Sequence, residues 1–213
     1  MAKVDLVAKY ESMSEYERSA WEKGVTFIAG MDEAGRGPLA GPVVAAAVIL
    51  DPNNPVYGVD DSKKLSPARR AALKKEIEEK AIAVSVGMAD VETIDRINIL
   101  EATKLAMKRA VEGLAFTPEL VLIDAVKLDL VSLEQLPIIK GDALSVSIAA
   151  ASIVAKETRD DILRLYDEIY PEYGFAAHKG YGTKAHYEAI EKYGILPIHR
   201  MSFLRSFLEK NNL

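Results

Sequence analysis

The sequence predicts an α/β chain, with a mixed sheet flanked by helices and a helical segment at its C-terminal end. Three observations predict it. Two apolar runs of strand length, Val25 to Met31 and Val43 to Leu50, lie close enough together to pair as a hairpin. Later apolar runs alternate with segments of helical period, as strands joined by helices do. From Pro171 onward the pattern is helical, interrupted by a Gly-Tyr-Gly loop.

Taken in order, residues 5–22 read as one helix, with Leu6, Tyr10, Met13 and Tyr16 recurring near a helical period and a Glu-rich remainder left for the surface. The first strand, Val25 to Met31, leads into a turn rich in Gly and Pro, and the second, Val43 to Leu50, is β-branched at Val43, Val44, Val48 and Ile49. Asp51-Pro52-Asn53-Asn54-Pro55 closes it. Ser66 is a natural N-cap and Pro67 suits the first helical position, so a helix is expected from there to about Lys80. A strand follows from Ala81 to Ala89. Ile94, Ile97, Leu100, Met107, Val111 and Leu114 then mark one long helix that stops near Gly113. Leu120 to Ile123 is a fully apolar strand with Asp124 at its end, and Leu136 to Ile139 is another, leading to Lys140-Gly141-Asp142. A long helix rich in small residues is expected from Ala143 to Tyr170, stopped by Pro171, with one or two further helices beyond. The expected organisation is an N-terminal helical extension over 1–24, an α/β domain over 25–170 and a C-terminal helical segment over 171–213.

At 213 residues, 49% hydrophobic and 28% charged, the composition is that of a globular domain. There is no cysteine, which excludes disulfides and thiolate metal sites and fits a reducing compartment. No apolar signal-peptide core follows Met1, and no run approaches the ~18 apolar residues of a membrane span, so a cytoplasmic chain without a membrane partner is expected. The net charge of −5 counts against a simple nucleic-acid binder. Its distribution offsets this: residues 176–213 hold six Lys/Arg against three Glu, and Lys63, Lys64, Arg69, Arg70, Lys74 and Lys75 form a second basic cluster.

The stretch Gly30 to Pro42 carries adjacent carboxylates, Asp32 and Glu33, and then an arginine framed by Gly35 and Gly37. Such a stretch can hold a hard cation beside a closely approaching backbone, or it can be an ordinary turn. Asp124 is equally a strand-ending turn residue, and Asp142 equally an N-cap. Together these four carboxylates fall where ligands gather in α/β sheets, at strand ends, and like charges converging there repel unless cations neutralise them. Mg²⁺ or Mn²⁺ suits such oxygen sets, and zinc does not, although three histidines are present (His178, His186, His199).

Six motifs in order resemble those of bacterial ribonuclease HII, the type 2 ribonuclease H: Gly30 to Val44, Asp61 to Leu65, Leu122-Ile123-Asp124, Ser147 to Lys156, His178 to Thr183 and His199 to Phe203. The resemblance runs from about Val25 to Phe207. It departs from the commonest form at Met31 and at Ile195-Leu196-Pro197, neither of which is an expected ligand.

The resemblance implies a ribonuclease-H-like fold. It implies that Asp32, Glu33, Asp124 and Asp142 bind Mg²⁺ or Mn²⁺, two ions with substrate bound, and that the chain, as a monomer, hydrolyses the RNA strand of an RNA/DNA hybrid. It further implies incision at ribonucleotides embedded in duplex DNA, with 5′-phosphate and 3′-hydroxyl ends. Substrate contacts would come from the Gly35-Arg36-Gly37 backbone at the ribose and from Arg36, Ser62, Lys63 and Lys64 at phosphates. Tyr181 would pack on the sugar at the RNA–DNA junction. Lys156 and Arg159 are read as surface or ion-pair residues, His199 as a structural hydrogen-bond donor and His178 as a loop residue near substrate. Two other readings remain at this stage: a non-catalytic hybrid-binding module, and a glycosidase with a paired acid and base, which leaves the basic clusters unexplained.

Overall fold

The computed structural model describes residues 5–124, 128 and 132–211. Met1 to Val4, read above for a leader, lie outside the described residues. Five strands form one mixed sheet: β1 (Ile28–Ala34), β2 (Val43–Ile49), β3 (Ala83–Ala89), β4 (Leu120–Asp124) and β5 (Glu134–Ile138), in the order β3-β2-β1-β4-β5. The hairpin expectation holds, since β2 runs antiparallel to both β1 and β3. Beyond β1 the sheet turns parallel, through β4 and then β5. The fold is the ribonuclease-H-like mixed sheet with a helical C-terminal part.

The sheet is covered on both faces because its central strands are apolar on both. Every residue of β2 is buried. On one face Met31, Val43, Ala45 and Ala47 pack against Ala102, Ala106 and Ala110 of α5 (Ile99–Glu112). On the other, Ala46 and Val48 meet α3 (Pro67–Lys80) through Leu73 and Ile77. They also meet α6 (Val146–Ile169) through its run of small residues. Gly30 shows how close that approach is. A methyl group there would lie 2.0 Å from the backbone carbon of Ser147, so only glycine lets α6 rest directly on β1.

Several expected boundaries move, each for a local reason. β1 begins at Ile28 and continues to Ala34, so Asp32 and Glu33 belong to the strand rather than to the turn after it; the pairing Ala34–Val44 holds them in register. The N-terminal helix divides into α1 (Leu6–Met13) and α2 (Glu15–Trp21) at Ser14, whose hydroxyl donates back to the Tyr10 carbonyl at 2.7 Å. The long helix before Gly113 divides into α4 (Val91–Ile97) and α5 at Asn98, which adopts φ 68° and caps α5 by accepting from Leu100 and Glu101 N–H groups. α6 starts at Val146 rather than Ala143, with Ser145 as its N-cap, so Asp142 sits in a separate 3₁₀ turn (Gly141–Ala143) and does not cap the helix. Ser66 and Pro67 open α3 as expected, and α6 ends at Ile169, ahead of Pro171.

The tail contains α7 (Phe175–His178), α8 (Lys184–Tyr193) and α9 (Met201–Asn211), one short helix more than expected. Leu163 of α6 anchors it in a cluster with Leu39, Phe175, Ile190 and Leu204. Asp95 of α4 caps α9 by accepting from Met201 N–H at 2.8 Å and Ser202 N–H at 2.9 Å. No helix among the described residues is long and apolar enough to cross a membrane.

Candidate active site

The parallel pairing of β1 with β4 places two carboxylates side by side. Met31 pairs with Ile123, so the next residues along each strand, Asp32 and Asp124, stand together at the same end of the sheet. β5 continues the layer: Asp124 pairs with Ile138, and the chain then turns at Lys140, in the left-handed region at φ 58°. That turn aims the Gly141 N–H at Asp124 Oδ1, 2.9 Å away. Asp142, buried, follows at once.

The electrostatics record the crowding. Burial pushes the Asp32 carboxyl well above the usual carboxylate range, and the charges of Glu33, Asp124 and Asp142 push the same way; the Glu33 N–H, donated at 2.8 Å, partly opposes them. Burial raises Glu33 as well, against the nearby Arg36, whose Nη1 lies 3.4 Å from its Oε1. Asp142 is raised by burial and then by the charges of Asp61 and Asp124. Among the described residues, no group of three or more acidic or histidine side chains converges as a ready-made cation cage. Asp32 nevertheless lies in the field of the other three carboxylates. The donor chemistry of the four fits a hard divalent cation: carboxylate oxygens only, three of them on the ends of β1 and β4 and the fourth in the turn after β5.

A cleft of about 340 Å³ opens beside Asp32, Glu33 and Asp124. Gly35, Arg36, Gly37, Ser62, Lys63 and Tyr181 also line it, so most of the expected site residues meet here. Asp142 is not among the lining residues, though it lies in the field of Asp61 and Asp124. Lys64 is outside it, 3.8 Å from Asp60 and 3.9 Å from Asp61. Tyr181 is 47% exposed, and its ring edge would stand 3.7 Å from a methyl placed on Gly37, so the ring borders the glycine turn.

Two residues that the sequence does not place in the site hold this wall together. Arg159, read above as a surface or ion-pair residue, is 1% exposed. It donates to the carbonyls of Pro42 (3.1 Å), Lys179 (3.0 Å) and Ala40 (3.0 Å), because a fork of N–H groups can serve several carbonyls that a helix-surface position would leave to water. Arg200 is fully buried and donates to Gly35 at 2.6 Å, Arg36 at 3.0 Å and Gly41 at 2.8 Å. Burial, and then the charge of Arg159, bring its guanidinium down to about 9. The motif His199-Arg200 was the available signal, but only the fold shows what Arg200 reaches.

The histidines form a chain rather than a metal site. Leu196 N–H donates to His199 Nδ1 at 2.9 Å, so the His199 proton is on Nε2, where it faces His186 Nε2 at 3.0 Å. His186 in turn donates from Nδ1 to the Tyr181 carbonyl at 2.9 Å. Burial brings both rings to about 4, so both are neutral at physiological pH and the chain holds the tyrosine loop in place. His178 spends Nε2 on the Tyr173 carbonyl at 2.7 Å and accepts the Gly180 N–H at 3.1 Å on Nδ1. It is a loop anchor and does not line the cleft.

A family profile described as Ribonuclease HII matches residues 29–206. Ribonuclease HII of Acetivibrio thermocellus is 58% identical over 200 residues, covering 94% of this chain and 78% of that protein. Ribonuclease HII of Ruminiclostridium cellulolyticum is 55% identical over 201 residues, covering 94% and 79%. Among solved structures, the ribonuclease H2 of Pyrococcus horikoshii superposes with a TM-score of 0.73 at 28% identity, over 88% of this chain and 99% of that one. With the profile spanning most of the chain and relatives above half identity, the chain belongs to the ribonuclease HII family.

Proposed function

We propose that this chain hydrolyses the RNA strand of RNA/DNA hybrids and also incises duplex DNA at embedded ribonucleotides, with Mg²⁺ or Mn²⁺ held by Asp32, Glu33, Asp124 and Asp142. Membership of a ribonuclease family makes it a ribonuclease of the H class. The observation that carries the finer reading is the adjacency of Asp32 and Asp124 at one sheet end, opening on a cleft that also holds Gly35-Arg36-Gly37 and Tyr181.

Two divalent ions on such carboxylates supply an activated water and stabilise the leaving oxygen of a phosphodiester. The chain's own groups do the rest. Asp32 on β1 and Asp124 on the paired strand β4 would form the centre of the site, with Glu33 and Asp142 beside them. Arg36 and Lys63 offer cations to the phosphates on either side of the cut. The glycine turn brings backbone within reach of the ribose 2′-hydroxyl, the group that separates RNA from DNA. Tyr181 offers a flat face to the sugar at the junction.

The test is cleavage of a DNA duplex containing one ribonucleotide, with and without Mg²⁺, followed by mapping of the cut and of its end groups. Metal-dependent incision leaving 5′-phosphate and 3′-hydroxyl ends is expected. An intact duplex in Mg²⁺ and in Mn²⁺ would refute the reading.

A further inference from the structure

Lys156 lines the cleft one helical turn beyond Ser152, on the face of α6 that also presents Arg159. Its ammonium lies 2.5 Å from Asp160 Oδ1. As a stabilising pair this is a poor arrangement, since a cation four residues ahead of an anion is the weaker order along a helix. Nor does Asp160 need it. Asp160 and Glu157 are both buried, at 1% and 2% exposure, and two guanidinium groups already answer them. Arg70 approaches Glu157 at 2.7 Å and Asp160 at 3.5 Å, and Arg164 approaches Glu157 at 3.4 Å. Lys156 is therefore a third cation beside two acids that Arg70 already joins, with Arg164 shared between Glu157 and Asp161, and it is the one of the three that borders the cleft.

Arg70 also ties this cluster to the other side of the cleft. Its Nη1 donates to the carbonyls of Leu65 at 2.8 Å and Ser62 at 3.3 Å, fixing the loop whose Ser62 and Lys63 face Lys156 across the opening. Arg70 thus ties the loop to α6, while the four-carbon stem of Lys156 gives its ammonium several positions within reach.

We propose that Lys156 is a further substrate-contacting residue, parked on Asp160 in the free protein and turning to a backbone phosphate of the bound nucleic acid. Asp160 stays neutralised by Arg70 when the lysine leaves, so the transfer exposes no unpaired buried charge. The inference rests on the nuclease reading above, and no bond is made or broken in the step.

The test is hybrid binding over a NaCl series in an Asp32→Asn background, comparing Lys156 with Lys156→Met, Lys156→Arg and Asp160→Asn. Loss of one phosphate contact should weaken binding roughly tenfold near 0.1 M salt and reduce the slope of log affinity against log salt by about one. Lys156→Arg should restore both. Asp160→Asn should keep the slope and bind at least as tightly, because it releases the lysine. A merely structural lysine would lower the melting temperature and leave the slope unchanged, and an unchanged slope in Lys156→Met would overturn the proposal. So would a lost unit of slope in Asp160→Asn. A wild-type chain that leaves hybrids intact overturns this inference and the nuclease reading together; wild-type cleavage with an unaltered Lys156→Met slope overturns this one alone.

Discussion

Glu17 accepts the Ser145 hydroxyl at 2.5 Å and the Ser147 N–H at 3.0 Å, so a carboxylate from the N-terminal helices closes the first turn of the helix that lies on β1. Glu17 is fully buried, and burial raises its carboxyl above the ordinary range. Glu17→Ala should cost about 2–3 kcal/mol, since it strands a buried hydroxyl and a helix-terminal N–H. Glu17→Gln keeps one acceptor and should cost less than half as much. Urea unfolding of the three proteins checks this, and equal midpoints for Glu17→Ala and wild type would contradict it.

Asp32→Asn should abolish turnover of an RNA/DNA hybrid while leaving the fold intact. Removing a charge from a crowded carboxylate group should also hold or slightly raise the melting temperature without divalent metal. Turnover assays and thermal scans on one preparation test both halves. Wild-type turnover in Mg²⁺ would sink the assignment of Asp32.

The raised carboxyls set a pH dependence with a definite sign. Asp32, Glu33 and Asp142 hold protons more tightly folded than unfolded. Their contribution is therefore complete below the ordinary carboxylate range of about 4 and is lost as pH rises through their folded values. His186 and His199, held at about 4, act in the opposite sense and cost stability as pH falls below about 6.5. The carboxylate share is isolated by comparing wild type with Asp32→Asn: the advantage of the variant should grow from pH 5 to pH 8. Millimolar Mg²⁺ should raise the wild-type melting temperature more at pH 8 than at pH 5, and a metal shift independent of pH would count against these carboxylates as ligands.

Tyr181→Ala should reduce cleavage at a single embedded ribonucleotide by roughly tenfold or more, the scale of one lost aromatic platform of ~1–3 kcal/mol. Its main-chain carbonyl and the histidine chain beneath it are untouched by the substitution, so the melting temperature should change little. Equal activity on single-ribonucleotide duplexes would remove Tyr181 from the site.

Local chemistry made much of the fold legible in the sequence. Ser66-Pro67 opens a helix, Pro171 closes one, and Asp124 ends an apolar strand because those residue types act on their own neighbours. The breaks at Ser14 and Asn98 were hidden because apolar periodicity continues across them, and one side chain bonding to nearby backbone decides each. Asp32, Glu33, Arg36, Ser62, Lys63, Asp124 and Tyr181 were named from motifs and meet in one cleft. Arg159 was misread because a cation on a helix ordinarily faces water, and nothing near it in sequence announces three carbonyls from two distant loops. Glu17 was hidden in a run of surface-like glutamates for the same reason: its partners are 128 and 130 residues away.

The grip of Arg200 on Gly35 and Arg36 joins positions 165 and 164 residues apart. A ribosome synthesising this chain makes the acidic strand early and the arginine that fixes its turn very late. Until that arginine is made, the carbonyls of Gly35, Arg36 and Gly41 lack its donors. The turn beside the carboxylates therefore takes its final hydrogen bonds after the strand that leads into it, an order of assembly set by the positions of the residues along the chain.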